Sequence, residues 1–127
     1  MTREKPVFAF FILLALTFNF GFVVGEFDNP EHHSIYELYA ALIVSLIATA
    51  MKFADRTYAG SVFLATSLVA DLQLILAAAL WWYAINVSTD GLDSSMMASI
   101  VSLASGAVLA NFASVILLII EAMKLGD

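Results

Sequence analysis

Residues 61–83 read SVFLATSLVADLQLILAAALWWY, from Ser61 to Tyr83, with no Lys or Arg and one acid, Asp71, near the centre. A bilayer core about 30 Å thick takes about 20 apolar residues in helical form, so this run reads as a membrane span. A carboxyl at the middle of a span is costly, and such groups face protein or a water-filled cavity rather than lipid. Asp71 is therefore the first functional-site candidate, and no basic residue lies inside the run to neutralise it.

Working outward, three further runs have the same character, over about residues 6–25, 34–53 and 93–123, with the quoted stretch forming the core of a span over 59–83. The whole chain is 127 residues, 62% hydrophobic and 13% charged, a composition that a soluble domain of this size cannot hide. The expected fold class is all-α: a polytopic four-transmembrane-helix bundle forming one domain over 1–127. The first run, preceded by Arg3 and Lys5, looks like a signal peptide at first sight. It is too long for one, and Thr17, Asn19 and Phe22 occupy the places where small cleavage residues are needed, so it reads as an uncleaved span.

Composition also excludes functions. A net charge of −6 with only five basic residues leaves no electrostatic footprint for nucleic acid. The absence of cysteine removes disulfides, thiolate chemistry and Cys-ligated zinc. The sequence holds no paired catalytic carboxylates, nucleophile–base constellation or nucleotide loop, which argues against an enzyme, and it points to no cofactor.

All five basic residues, Arg3, Lys5, Lys52, Arg56 and Lys124, fall on one side of the four spans, whereas Glu26, Asp28, Glu31, Glu37, Asp90 and Asp93 fall on the other. By the positive-inside rule both termini are expected on the cytoplasmic side. Tyr36, Tyr39, Trp81, Trp82 and Tyr83 are expected to form an aromatic belt at the outer level. Ser34 and Glu37 have the spacing of a capping box opening span two, Asp93 is placed to cap span four, and Asn29-Pro30 marks a turn.

Helices in lipid associate through small residues and polar contacts. Span one offers Gly21 and Gly25 at GxxxG spacing; span two offers Ala41, Ser45 and Thr49; span four offers Ala98, Ser102, Gly106, Ala110 and Ser114. Such seams are ordinary helix packing before they are anything else. Span three carries polar residues on two sides, because Asp71 and Gln73 are separated by about 200° of helix rotation. Ser67 shares the face of Asp71, and Thr66 that of Gln73. Both faces then need protein neighbours, so span three is central in the monomer or also meets a second subunit. Asn19, Asn111, Ser45, Thr49 and Ser105 lie at similar depth. The candidates for an ion or proton site are Asp71, Asn111, Asn19, Ser67 and Gln73. For Asp71 a proton or cation site weighs against a hydrogen-bonded group that fixes helix register; for Asn19, Gln73 and Asn111 the structural role is the better reading.

The loop EFDNPEHH, Glu26 to His33, places carboxylates beside imidazoles. His32, His33 and Asp28 are weak metal candidates, because adjacent histidines diverge and no HxH or HxxxH pair occurs. A pH response of His32 and His33 fits the loop better, because imidazole as a group changes charge near neutral pH.

The segments LTFNFG (Leu16 to Gly21), DNPEHH (Asp28 to His33), KFADRT (Lys52 to Thr57) and SLVADLQ (Ser67 to Gln73) resemble those of a family of small four-span bacterial inner-membrane proteins of unknown function. The resemblance covers nearly the whole chain and implies a bacterial origin, with no activity, substrate or site. The chain does not resemble the small multidrug exporters, which carry their essential carboxylate in the first span, where this chain has Asn19. The functional expectation is an ion-transport component handling H⁺ or a monovalent cation at Asp71, as a homo-oligomer or as a subunit of a larger membrane-protein complex. The alternative is a non-transporting accessory or assembly subunit.

Overall fold

A computed structural model describes residues 4–26, 28–53, 55 and 57–125. It contains four helices, α1 (Glu4–Val23), α2 (Ile35–Lys52), α3 (Tyr58–Asn86) and α4 (Ser94–Leu125), with a short 3-10 turn over Pro30–His32. At 1.5 Å per residue the 18 residues of α2 reach about 27 Å and the 32 of α4 about 48 Å. All four are long and apolar enough to cross a bilayer, and the chain is a multi-pass membrane protein. Short connections make consecutive helices antiparallel. The α1–α2 and α3–α4 connections share one end of the bundle, here the loop end; the α2–α3 connection lies at the other, the terminal end. Both α1 and α3 pack against α2 and against α4, so α1 and α3 face each other across the bundle.

Local chemistry sets the helix starts. Ser34 Oγ accepts from the Tyr36 N–H at 3.2 Å, but the Glu37 half of the expected capping box is not used: its carboxylate lies over Gly21 of α1, 2.5 Å from where a Cβ would stand. Asp93 Oδ1 caps α4 by accepting from Met96 N–H at 2.9 Å. Asn29 Oδ1 accepts from Glu31 N–H at 3.0 Å and opens the 3-10 turn. Thr57 caps α3, its Oγ1 accepting from Gly60 N–H at 2.9 Å and donating to Asp55 Oδ1 at 2.7 Å. Lys52 Nζ reaches the other Asp55 oxygen at 3.3 Å and sits 4.4 Å above the Phe8 ring.

The interior divides into two apolar clusters. The loop-end cluster includes Phe22, Leu38, Leu74, Trp81 and Met97; the terminal-end cluster is built on Phe8, Ile12, Ala48 and Phe63, with the Phe8 and Phe63 rings edge to face at 5.2 Å. Three sequence expectations change here. Trp81 is buried against Phe22 and so leaves the aromatic belt, while Tyr36, Tyr39, Trp82 and Tyr83 remain exposed. Gly25 is not part of a helical GxxxG seam: α1 ends at Val23, and Gly25 turns the chain with φ +106°, a backbone region open to glycine. Ser102 is exposed. The buried stripe of α4 runs instead through Met97, Ile100, Val101, Ala104, Ala107, Asn111 and Ser114, the 3–4 residue period of a helix face. Of the basic residues behind the expected orientation, Arg3, Arg56 and the side chain of Lys5 lie outside the described residues.

Candidate functional site

Asp71 projects from α3 towards α2. It is 5% exposed, and its two carboxyl oxygens meet two hydroxyls one turn apart on α2: Ser45 Oγ donates to Oδ1 at 2.6 Å and Thr49 Oγ1 lies 2.5 Å from Oδ2. Positions 45 and 49 share a helix face by the i,i+4 rule. The small-residue seam read on span two is therefore the surface that receives the carboxyl. Among the described residues, no Lys, Arg or His forms an ion pair with Asp71. Thr49 Oγ1 is also 2.9 Å from the Ser45 carbonyl, so its single hydrogen has two acceptors to choose between. One turn from Asp71 towards the terminal end, the buried Ser67 hydroxyl has no hydrogen-bond partner. A buried hydroxyl without a partner is unusual.

The second polar face of α3 meets α4. Thr66 and Ser114 are joined hydroxyl to hydroxyl at 2.6 Å, and the Gln73 amide covers Gly106, within 2.8 Å of where a Cβ would be. Ala110, next on that seam, is half-buried and packs against the loop-end cluster. Both faces of α3 are thus taken up inside the monomer, because α3 is flanked by α2 on one side and α4 on the other.

Asn19 and Asn111 are both buried, and they meet each other rather than Asp71. With the Asn19 amide turned to match its surroundings, its nitrogen donates to the Ala104 carbonyl at 3.0 Å and its oxygen accepts from Val108 N–H at 3.1 Å and from Asn111 Nδ2 at 3.0 Å. This ties α1 to α4. Of the five expected ion or proton candidates, Asp71 and Ser67 share one face, Gln73 serves the α3–α4 contact, and Asn19 with Asn111 forms the α1–α4 contact. Ser45 and Thr49, the direct partners of Asp71, were legible as neighbours by depth; what revealed them as partners is the pairing of α2 with α3.

The loop histidines are engaged by backbone. His33 is buried, and both ring nitrogens face carbonyl oxygens, Nδ1 that of Phe22 at 2.5 Å and Nε2 that of Glu26 at 2.7 Å. His32 Nδ1 accepts from Glu26 N–H at 2.8 Å, and its Nε2 lies beside the Asn29 amide at 3.2 Å. Asp28 is exposed, and no group of three His, Asp or Glu side chains gathers among the described residues.

At the terminal end a cleft of about 950 Å³ opens between α1, α3 and α4, with Phe8, Phe63, Leu118 and Ile119 in its walls and Lys52 and Glu121 among its polar groups. The Phe8–Phe63 layer forms part of its wall and belongs to the apolar cluster between this end and the Asp71 layer. Comparison with characterised proteins and with solved structures finds no match. A family model does match, over residues 32–122, which takes in α2, α3, most of α4 and the whole Asp71 site. The chain belongs to the DUF6394 family, a family of unknown function.

Proposed function

We propose that this small four-span membrane protein is an ion-transport component in which Asp71 binds or relays H⁺ or a monovalent cation. The observation that carries this reading is a buried carboxyl, in mid-membrane, held by two hydroxyls and no cation, with the unpartnered Ser67 hydroxyl one turn away. Intramembrane carboxyls of this kind mark ion or proton pathways by default. Hydroxyls serve both protonation states, because each donates to a carboxylate and accepts from a carboxylic acid. Apolar clusters on both sides of the polar layer supply the two barriers that any pathway has to open in turn. Four helices leave no private aqueous path, so the protein works as a homo-oligomer or as a subunit of a larger membrane complex, with its termini on the cytoplasmic side of a bacterial inner membrane.

The test is flux in proteoliposomes. Wild-type protein is expected to dissipate a pH gradient or a monovalent-cation gradient, and Asp71→Asn to abolish the flux while melting within a few degrees of wild type. Equal flux from the variant would reject the reading, and none from wild type at any protein density would reject its homo-oligomer form. A second reading, an accessory subunit that docks a larger complex, draws on the exposed Ser102 beside the half-buried Ala98, small residues one turn apart on α4 that another helix can approach closely. It predicts that Ser102→Leu disrupts co-purification with the partner while Asp71→Asn does not.

A further inference from the structure

We propose that His33 is a second proton-binding site, independent of Asp71, and that with His32 it makes the α1–α2 connection a pH-sensitive clasp. A carbonyl oxygen only accepts. Both His33 nitrogens lie within hydrogen-bond reach of one, Phe22 at 2.5 Å and Glu26 at 2.7 Å, so both must carry hydrogen. A neutral imidazole has only one N–H, and its bare nitrogen would then point at a carbonyl lone pair. The arrangement is that of an imidazolium. The Phe22 carbonyl lies in the last turn of α1, where helix carbonyls lack internal partners and the helix dipole favours a cation.

His32 has the opposite requirement. Its Nδ1 accepts the Glu26 N–H at 2.8 Å, so that nitrogen must be bare and the ring neutral. Glu26 is gripped from both sides, its N–H by His32 and its C=O by His33. The turn brings the two rings to 6.4 Å between centroids. Gly25 makes the geometry accessible: its φ of +106° suits glycine, and a Cβ there would stand 2.8 Å from His32.

The charged and titratable groups around the clasp come from three elements. The connection supplies His32 and the exposed carboxylates of Glu26, Asp28 and Glu31; α2 supplies Glu37, lying over Gly21 next to Phe22. From α3 the residue stacked behind Phe22 is Trp81, which does not titrate, and Asp90 and Asp93 at the same end are exposed. The intact clasp binds one proton on His33 and none beyond the neutral ring on His32. A proton added to His32 removes the acceptor for Glu26 N–H, and a proton lost from His33 leaves one carbonyl facing a bare nitrogen.

The chain has only two histidines, so ¹⁵N-histidine NMR of the full protein in nanodiscs reads both rings, with His32→Gln assigning them. At pH 7 His33 is expected to show both nitrogens protonated and His32 a bare Nδ1. Amide exchange at residues 22–26, corrected for intrinsic rates, is expected to rise roughly tenfold or more as His33 loses its proton, the loss of one hydrogen bond to a charged group. That rise should vanish in His33→Gln. A neutral His33 at pH 7 in the wild-type spectrum overturns the proposal without any variant, and so does identical pH dependence of exchange in wild type and His33→Gln.

Discussion

Thr49 has one hydroxyl hydrogen and two acceptors, the Ser45 carbonyl at 2.9 Å and Asp71 Oδ2 at 2.5 Å. When the hydrogen goes to the carbonyl of its own helix, the short contact with Asp71 needs a hydrogen on the carboxyl. When it goes to Asp71, the carboxyl is free to be ionised. The hydroxyl thus follows the protonation state of its neighbour, and a side chain without one cannot. Thr49→Val, which keeps the shape, is expected to move the Asp71 carboxyl band in infrared difference spectra and to cost about 0.6 to 1.7 kcal/mol, the range for interhelical hydrogen bonds in a membrane. Thr49→Ser should leave both unchanged. An unmoved band in Thr49→Val would mean that the contact does not set the state of the carboxyl. The importance of Asp71 was legible in the sequence because a single acid stands out in an apolar run. Its partners were legible only by depth, since Ser45 and Thr49 are ordinary small residues until α2 is known to lie against that face of α3. Ser67 and Gln73 divide in the same way: the 200° between the two faces can be read from spacing, but the helix that each face meets cannot.

At the scale of elements, the start of α3 depends on a compact arrangement that the sequence displayed only as a loop. Asp55 accepts from the Thr57 hydroxyl and backbone N–H and pairs with Lys52. The hydrogen bonds from Thr57, first from its side chain and then from its backbone, together with Lys52, hold the Asp55 carboxyl below its usual value of 3.8. A carboxyl held low in the folded state contributes stability above its unfolded value, and that contribution is lost as pH falls through the lowered folded value. Fraying of the first turn of α3 is therefore expected only in acid, below about pH 4, and amide exchange at Gly60 and Ser61 reports it. Asp55→Asn should fray at every pH and show no acid-dependent step. Thr57→Ala removes the cap itself and should cost about 1 kcal/mol. The α3–α4 contact offers a graded test. Gly106→Ala places a methyl group against the flexible Gln73 amide, which can move aside, so a small loss of stability is expected. Gly106→Leu cannot be accommodated without separating the helices and should lower the melting temperature sharply. Similar melting of the two variants would mean that Gln73 does not press on α4 as described.

For the whole molecule, the four helices follow from the length and apolarity of the runs, and their ends fall within a few residues of where the charges, Ser34 and Asp93 place them. Packing was the part hidden from sequence. A helix in lipid carries apolar residues on every side, so the inward face of α4 is marked by contacts, as at Asn111 and Ser114, rather than by hydropathy, and Ser102 lies off that inward stripe. Trp81 was misplaced, because three consecutive aromatics read as a belt although a helix turns one of them inward. The arrangement has a polar layer at mid-depth, an imidazole clasp at the loop end and a cleft beside Lys52 at the terminal end. Which of these faces the cell interior decides whether protons meet His33 from outside or from the cytoplasm. By the positive-inside rule the terminal end is expected in the cytoplasm, since the sequence places its basic residues there and acids at the loop end. The cysteine-free sequence makes the experiment direct. Ser88→Cys in the α3–α4 connection is expected to react with a membrane-impermeant maleimide in intact spheroplasts, and Thr57→Cys at the terminal end to react only after the membrane is opened. The reverse pattern would invert the protein, leaving Asp71 at the same depth but turning the His33 clasp towards the cytoplasm, where it would sense internal rather than external pH.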